Sequence, residues 1–336
     1  MSSPRASTSW LRSGPAAAIG VAYLGAMLAW YPYHRVFQFN PDEGTNAIKA
    51  LLVARGLSLY HEVWSDQPPL FTYLLRGWLT LFGWEIDHGR VLVLLFAALL
   101  LSAVYETMRL ARGHLAACAA TALLCSGVYF LRLSVSLMIG LPALALTMTS
   151  LLCAARFRAH GRPGAVAASG GWFGLALATK LFVAPLAPLI ALLAALPLRA
   201  GDRLRPMHAL RFGSLWALSC AAAFGGSVLL LGGFDAFDQL VTTHLTARGA
   251  PAANRAAEFI LRDLRANAPL LALGALGVAA LLVRREAILV LALAWAIFTL
   301  VLIAVHRPYW FHHQLLLSVP LAMLGGAAVA LLLPSA

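Results

Sequence analysis

AILVLALAWAIFTLVLIAV, residues Ala287–Val305, decides the fold class. It carries no charged side chain and a single hydroxyl, Thr299. A helix needs about 20 apolar residues to cross the hydrocarbon core of a bilayer, since each residue advances it by only about 1.5 Å. Comparable runs recur outward from it, near 15–33, 91–108, 114–130, 138–155, 165–179, 181–198, 212–232, 269–283 and 315–333. The chain as a whole is 61% hydrophobic and 11% charged, where soluble domains carry about 25% charged residues. These features predict an all-α polytopic membrane protein with about ten transmembrane helices. Its shorter spans would be accommodated by tilt or by kinks at Pro142, Pro185 and Pro188. No change of composition marks a separate soluble domain, so residues 1–336 read as one transmembrane domain.

The net charge of +12 does not indicate nucleic acid. Most arginines sit at the ends of apolar runs, where they match anionic lipid headgroups, and no basic stripe is interleaved with aromatics. Cys118, Cys125, Cys153 and Cys220 all fall inside apolar runs without the close spacing of a zinc site or a disulfide framework, and read as small packing residues. The polar stretch Met1–Gly14, with Arg5 and Arg12, runs into the first span without a small-residue cleavage site and reads as a retained signal-anchor. Short connections rich in arginine, namely 109–112, 156–162, 199–211 and 284–285, then place the N-terminus in the cytoplasm.

With that orientation five segments face outward: 34–90, 131–137, the junction at Lys180, 233–268 and 306–314. Nearly every residue with chemical potential lies in them. In the first, Phe39-Asn40-Pro41-Asp42-Glu43-Gly44-Thr45-Asn46-Ala47 sets two adjacent carboxylates beside a membrane span. Acids are costly near hydrocarbon, so such a pair marks a functional site. Two short apolar faces follow, on Ala47–Ala54 and Leu70–Leu79, and predict helices lying at the interface rather than crossing it. Asp66, before Pro68-Pro69, suits a helix start. In 233–268, Phe259, Ile260 and Leu264 have helical spacing and predict a surface helix over an outer cavity.

Each sharp reading has a plainer competitor. Asp42 could cap a helix that starts near Glu43. Lys180 could be a lysine snorkelling from a helix end. His312 and His313 flank Tyr309, Trp310 and Phe311, which by themselves need be only an interfacial belt. Glu106 and Arg109 are spaced as a local ion pair.

Taken together, Asp42-Glu43-Gly44 with its following alanines, Gly56-x-x-x-Tyr60, Pro68-Pro69-Leu70 and Phe82-Gly83 resemble the first outer loop of the GT-C glycosyltransferases. The likeness is to the bacterial relatives of protein O-mannosyltransferases and of the aminoarabinose transferase of lipid A. Arg90 fits the same layout; Gly174-Leu175-Ala176-x-x-Thr179-Lys180 resembles a later helix of the family, and His306-Arg307-Pro308-x-Trp310-x-His312-His313 a final motif. The resemblance implies a polyprenyl-phosphate-linked sugar donor, an acceptor that is a glycan, a lipid or a protein, and an inverting displacement on the periplasmic side of the bacterial inner membrane. It assigns the base to Asp42, with Glu43 orienting it or the acceptor. Lys49, Tyr60, Pro68, Pro69, Arg90, Arg132, Lys180, His244, Arg307, Tyr309, Trp310, His312 and His313 become candidates for holding substrate, the cationic ones for a departing lipid phosphate. Two departures stand out. The turn 131–137 has no carboxylate, where many relatives carry an acid often linked to a metal, which leaves a divalent metal only weakly supported and no cofactor assigned with certainty, and Gln67 stands where lysine or histidine is common. The alternative reading is a non-catalytic membrane subunit or lipid-linked-sugar carrier that retains the fold.

Overall fold

The computed structural model describes residues 14–32, 40–196, 206–246, 256–283, 286–305 and 310–333. Helices account for almost all regular structure among these residues, and each of the ten apolar runs becomes a helix or a helix pair. In chain order the helices are α1 (Gly14–Trp30), α2 (Pro41–Ala54), α3 (Leu70–Phe82), α4 (Ile86–Arg112), α5 (His114–Cys125) and α6 (Val128–Ser134). Then come α7 (Gly140–His160), α8 (Pro163–Thr179), a 3₁₀ turn Leu181–Leu186 running into α9 (Ala187–Ala195), and α10 (Pro206–Gly232). The last are α11 (Asp235–Thr246), α12 (Ala256–Ala266), α13 (Ala268–Val283), α14 (Ala287–Val305), a 3₁₀ turn Phe311–His313 and α15 (Gln314–Leu332).

Five of these segments are long and apolar enough to cross a membrane, and α5 with α6 makes a sixth when counted as one span bent by 74°. The remaining apolar runs give shorter helices. The chain is a multi-pass membrane protein. Most of α7 is buried in the protein, whereas few residues of α10 are fully buried; Phe212, Trp216, Cys220 and Val228 face inward and the rest of the helix is partly or fully open, as suits contact with lipid.

Close helix approach depends on small residues, since lipid tails offer no hydrophobic drive for helices to associate. Helices α8 and α10 pack along Gly170 and Gly174, where an added Cβ would lie 2.2 Å from the Trp216 carbonyl oxygen and 2.4 Å from that of Cys220. A buried hydrogen bond from the Trp216 indole to Ser169 Oγ (3.0 Å) fixes the register. Gly277 packs on the Leu324 backbone of α15, and Gly326 of α15 on Ala116 of α5, in the same way. Gly174→Val should therefore cost about 1–3 kcal/mol through overpacking and abolish the monodisperse peak in detergent gel filtration. Gly171→Ala, where nothing lies within 4 Å of the new Cβ, should leave that peak unchanged.

Two local expectations change. The cap of α2 is Asn40 rather than Asp42: its side chain accepts the Asp42 N–H (3.0 Å), while Glu43 Oε1 accepts the Asn40 N–H (3.1 Å), and Pro41 occupies the first turn. Among the described residues the segment after Gly233 holds two helices, α11 and α12, where one was expected.

Candidate functional site

Helix α2 organises the site because its two polar rows face different partners. Glu43 points into the protein and is fully buried. Its carboxylate accepts Nε and Nη2 of Arg90 (2.8 and 3.0 Å), the N–H of Leu137 (2.9 Å) and the N–H of Asn40. Burial alone would raise the carboxyl pKa, but the Arg90 guanidinium and the two backbone donors outweigh it and hold Glu43 below the usual carboxylate range. Arg90, itself buried, also binds Asp87 (3.2 Å).

The second row holds Asp42, Asn46 and Lys49, spaced to share one helix face. Asn46 Nδ2 donates to the Leu137 carbonyl (2.9 Å), so α2 grips both polar groups of Leu137 in the turn after α6. Lys49 Nζ is buried and donates to Ser65 Oγ (3.2 Å) and Asp66 Oδ1 (3.4 Å). Asp42 is exposed, and its carboxylate has no hydrogen-bond partner among the described residues.

Lys180 caps the C-terminus of α8 and stands close enough to Asp42 and Asp66 to feel both charges. Burial pushes its ammonium down to about 8, and the two carboxylates oppose that fall. His312 lies in turn within electrostatic reach of Lys180, and its Nδ1 is enclosed without a hydrogen-bond partner. The Arg132 guanidinium stacks over the Phe311 ring at 4.4 Å, joining α6 to the turn that carries the histidines. His313 accepts the Trp310 N–H (3.3 Å), and the Trp310 ring stays exposed. Four distant parts of the chain thus meet: Asp42 from α2, Asp66 from the following loop, Lys180 from α8 and His312 from the turn before α15.

Other candidates have their polar groups engaged within the fold. Tyr60 is buried with its hydroxyl on the Gln67 carbonyl (2.6 Å), and burial raises its phenol above the normal pKa. Pro68 and Pro69 are buried at the start of α3. Arg307 and Tyr309 lie outside the described residues, as does the side chain of His244. The residue that sequence reasoning passed over is Asp66. It had been read as a helix start, but α3 begins at Leu70 with Pro69 as its cap, and Asp66 turns to Lys49, Gln67 Nε2 (2.8 Å) and the field of Lys180. The signal was available in the acid itself, set just before Gln67-Pro68-Pro69. No group of three or more metal-ligating side chains forms among the described residues.

This architecture is the GT-C fold. It matches ArnT from Cupriavidus metallidurans in the apo state with a TM-score of 0.67 and 17% identity over 94% of this chain. The same protein bound to undecaprenyl phosphate matches with a TM-score of 0.70 and 17% identity over 96% of it. The chain spans 60% of the length of ArnT in both comparisons. The family model of the dolichyl-phosphate-mannose-protein mannosyltransferases matches residues 66–225, from the Asp66 loop into α10. The likeness to the GT-C glycosyltransferases read from the motifs is thereby borne out. No curated protein matches the sequence closely enough to count as a relative.

Proposed function

We propose that this chain is an integral membrane glycosyltransferase that moves a sugar from a polyprenyl-phosphate donor to an acceptor hydroxyl on the extracytoplasmic face, with inversion. The observation that carries the reading is the exposed Asp42 carboxylate, unengaged among the described residues and within electrostatic reach of the Lys180 cation. The acceptor oxygen attacks the anomeric carbon as the bond from that carbon to the phosphate oxygen breaks. The proton leaves to Asp42, and the electron pair of the broken bond stays on the lipid phosphate. A carboxylate within hydrogen-bond reach can take that proton. The leaving group needs no acid but gains from fixed positive charge, which Lys180 and Arg132 supply. Undecaprenyl phosphate, found on ArnT, has the chemistry this site would release. Glu43 and Arg90 hold α2 against the Leu137 turn, so their part is to place Asp42 rather than to touch substrate.

Purified protein in liposomes, given an undecaprenyl-phosphate sugar and an acceptor extract, should release undecaprenyl phosphate. Mass spectrometry of a deletion strain should show the donor accumulating. Unchanged lipid-linked sugars and glycans in that strain would favour the non-catalytic subunit instead. Lys180 gives a further check. Its cation persists below about pH 8 and is lost above it, so transfer should decline on the alkaline side from about that pH. Lys180→Arg, which stays charged, should abolish that decline, and Lys180→Gln should raise the donor KM about tenfold or more, as expected for loss of a charge-assisted contact worth about 1.5–3 kcal/mol.

A further inference from the structure

Gln239, near the middle of α11, reaches a loop far away in the chain and reads two of its backbone groups at once. Its Oε1 accepts the Ser65 N–H (3.1 Å), and its Nε2 donates to the Tyr60 carbonyl. The loop needs such a constraint. Tyr60 sits at φ 75°, a conformation that a bulky side chain adopts only when its surroundings enforce it. The Tyr60 ring fills the gap left by Gly232, where a Cβ would lie 2.6 Å from it, and Ala236, one turn before Gln239, joins the small apolar cluster beneath the loop. Ser65 is the next link: its Oγ accepts from Lys49 and donates to the Gln67 carbonyl (3.0 Å), leaving Asp66 directed at Lys49 and the Gln67 amide.

We propose that Gln239 is a positioning residue whose carboxamide locks the Tyr60–Ser65 backbone so that the Asp66 carboxylate is held toward Lys49 and Lys180. Helix α11 thereby sets the charge balance of the site through a neutral side chain. The catalytic consequence rests on the transferase reading above, but the lock itself does not. The charged or titratable groups facing Lys180 are Asp42 from α2, Asp66 from the loop and His312 from the turn before α15. Displacing Asp66 removes one of its two anions, so Lys180 loses its proton at lower pH.

The test pairs Gln239→Met, which keeps the shape and drops both hydrogen bonds, with Gln239→Glu, which keeps the acceptor for Ser65 N–H and covers the case in which the methionine variant fails to fold. In full-length protein in detergent, hydrogen exchange at residues 58–67 should speed up at least tenfold in Q239M, about the effect of losing two net hydrogen bonds, with α7 unaffected. In the transferase assay kcat/KM for the undecaprenyl-phosphate sugar should fall about tenfold, and the alkaline limb of the pH profile should move to lower pH. In an Asp66→Asn background Q239M should add less than a twofold further loss, because the two residues act along one path. Unchanged exchange at 58–67 overturns the lock. Faster exchange with an unmoved pH profile, or a fully additive loss in the double variant, overturns the positioning role. If the parent protein transfers no sugar, the functional reading fails while the exchange measurement still decides the lock.

Discussion

Replacing Asp42 with asparagine should lower turnover by about 10²- to 10⁴-fold while leaving the protein folded, the range expected when a positioned general base is removed. The substitution separates chemistry from folding cleanly because of how α2 begins. The cap is supplied by Asn40, and what it binds at position 42 is the backbone N–H, which asparagine retains. The carboxylate is exposed and has no hydrogen-bond partner among the described residues, so for folding its loss removes a favourable charge near a helix N-terminus, about 0.3–1 kcal/mol, and one of the two anions that support the Lys180 cation. The informative control is Asp66→Asn. Both oxygens of Asp66 already accept hydrogen bonds, from Lys49 and from Gln67, which makes it the poorer proton acceptor of the two acids. Asp66→Asn should therefore act mainly on donor affinity through Lys49 and Lys180, with a smaller loss of kcat. If Asp66→Asn removed turnover while Asp42→Asn left it within a few-fold of the parent, the base would have to be reassigned to Asp66.

The architecture was legible because membrane spans announce themselves by length and apolarity, which no tertiary contact needs to supply. The short helices α2 and α3 were legible for a related reason, their apolar faces having helical spacing but too little length to cross. The site was legible only as far as local motif reached. Asp42 lies in a recognisable run, whereas Asn40 takes the cap because the helix begins at Pro41, which leaves Asn40 in the extended position before the first turn. Asp66 escaped notice because its direction is fixed by contacts from elsewhere: Lys49 on α2 and, through Ser65, Gln239 on α11. The turn 131–137 has no acid of its own, but the folded protein brings Glu43 to the Leu137 N–H. In each case the missing information was a pairing between residues far apart in sequence, and a single sequence does not encode such pairings in any local pattern.

The buried pair of Glu43 and Arg90 should be the most sensitive point of the fold. Glu43→Gln should destabilise the protein by about 3 kcal/mol, the lower end of the usual cost of breaking a buried ion pair, because Asp87 still pairs with the Arg90 guanidinium. The expected readout is a large fall in thermal midpoint in detergent or nanodiscs, with activity lost together with folded protein. A buried ion pair can often be exchanged for apolar residues with little net loss, since the desolvation of both charges is relieved together. That rescue should fail here. Glu43 also accepts the Leu137 and Asn40 N–H groups, so replacing both partners with Leu and Met would strand the buried Leu137 donor, at about 1–3 kcal/mol, and leave the part-buried Asn40 donor without its acceptor. The pH dependence has a definite sign. Because the folded carboxyl titrates below its ordinary value of 4.5, its stabilisation is complete above that pH and is lost as pH falls through the folded value. The parent protein should therefore lose stability in acid below about pH 4.5, and Glu43→Gln should be flatter over the same range. A Glu43→Gln protein as stable as the parent, or equally acid-sensitive, would mean that α2 is held against the Leu137 turn by packing alone. The placement of Asp42 would then need another explanation.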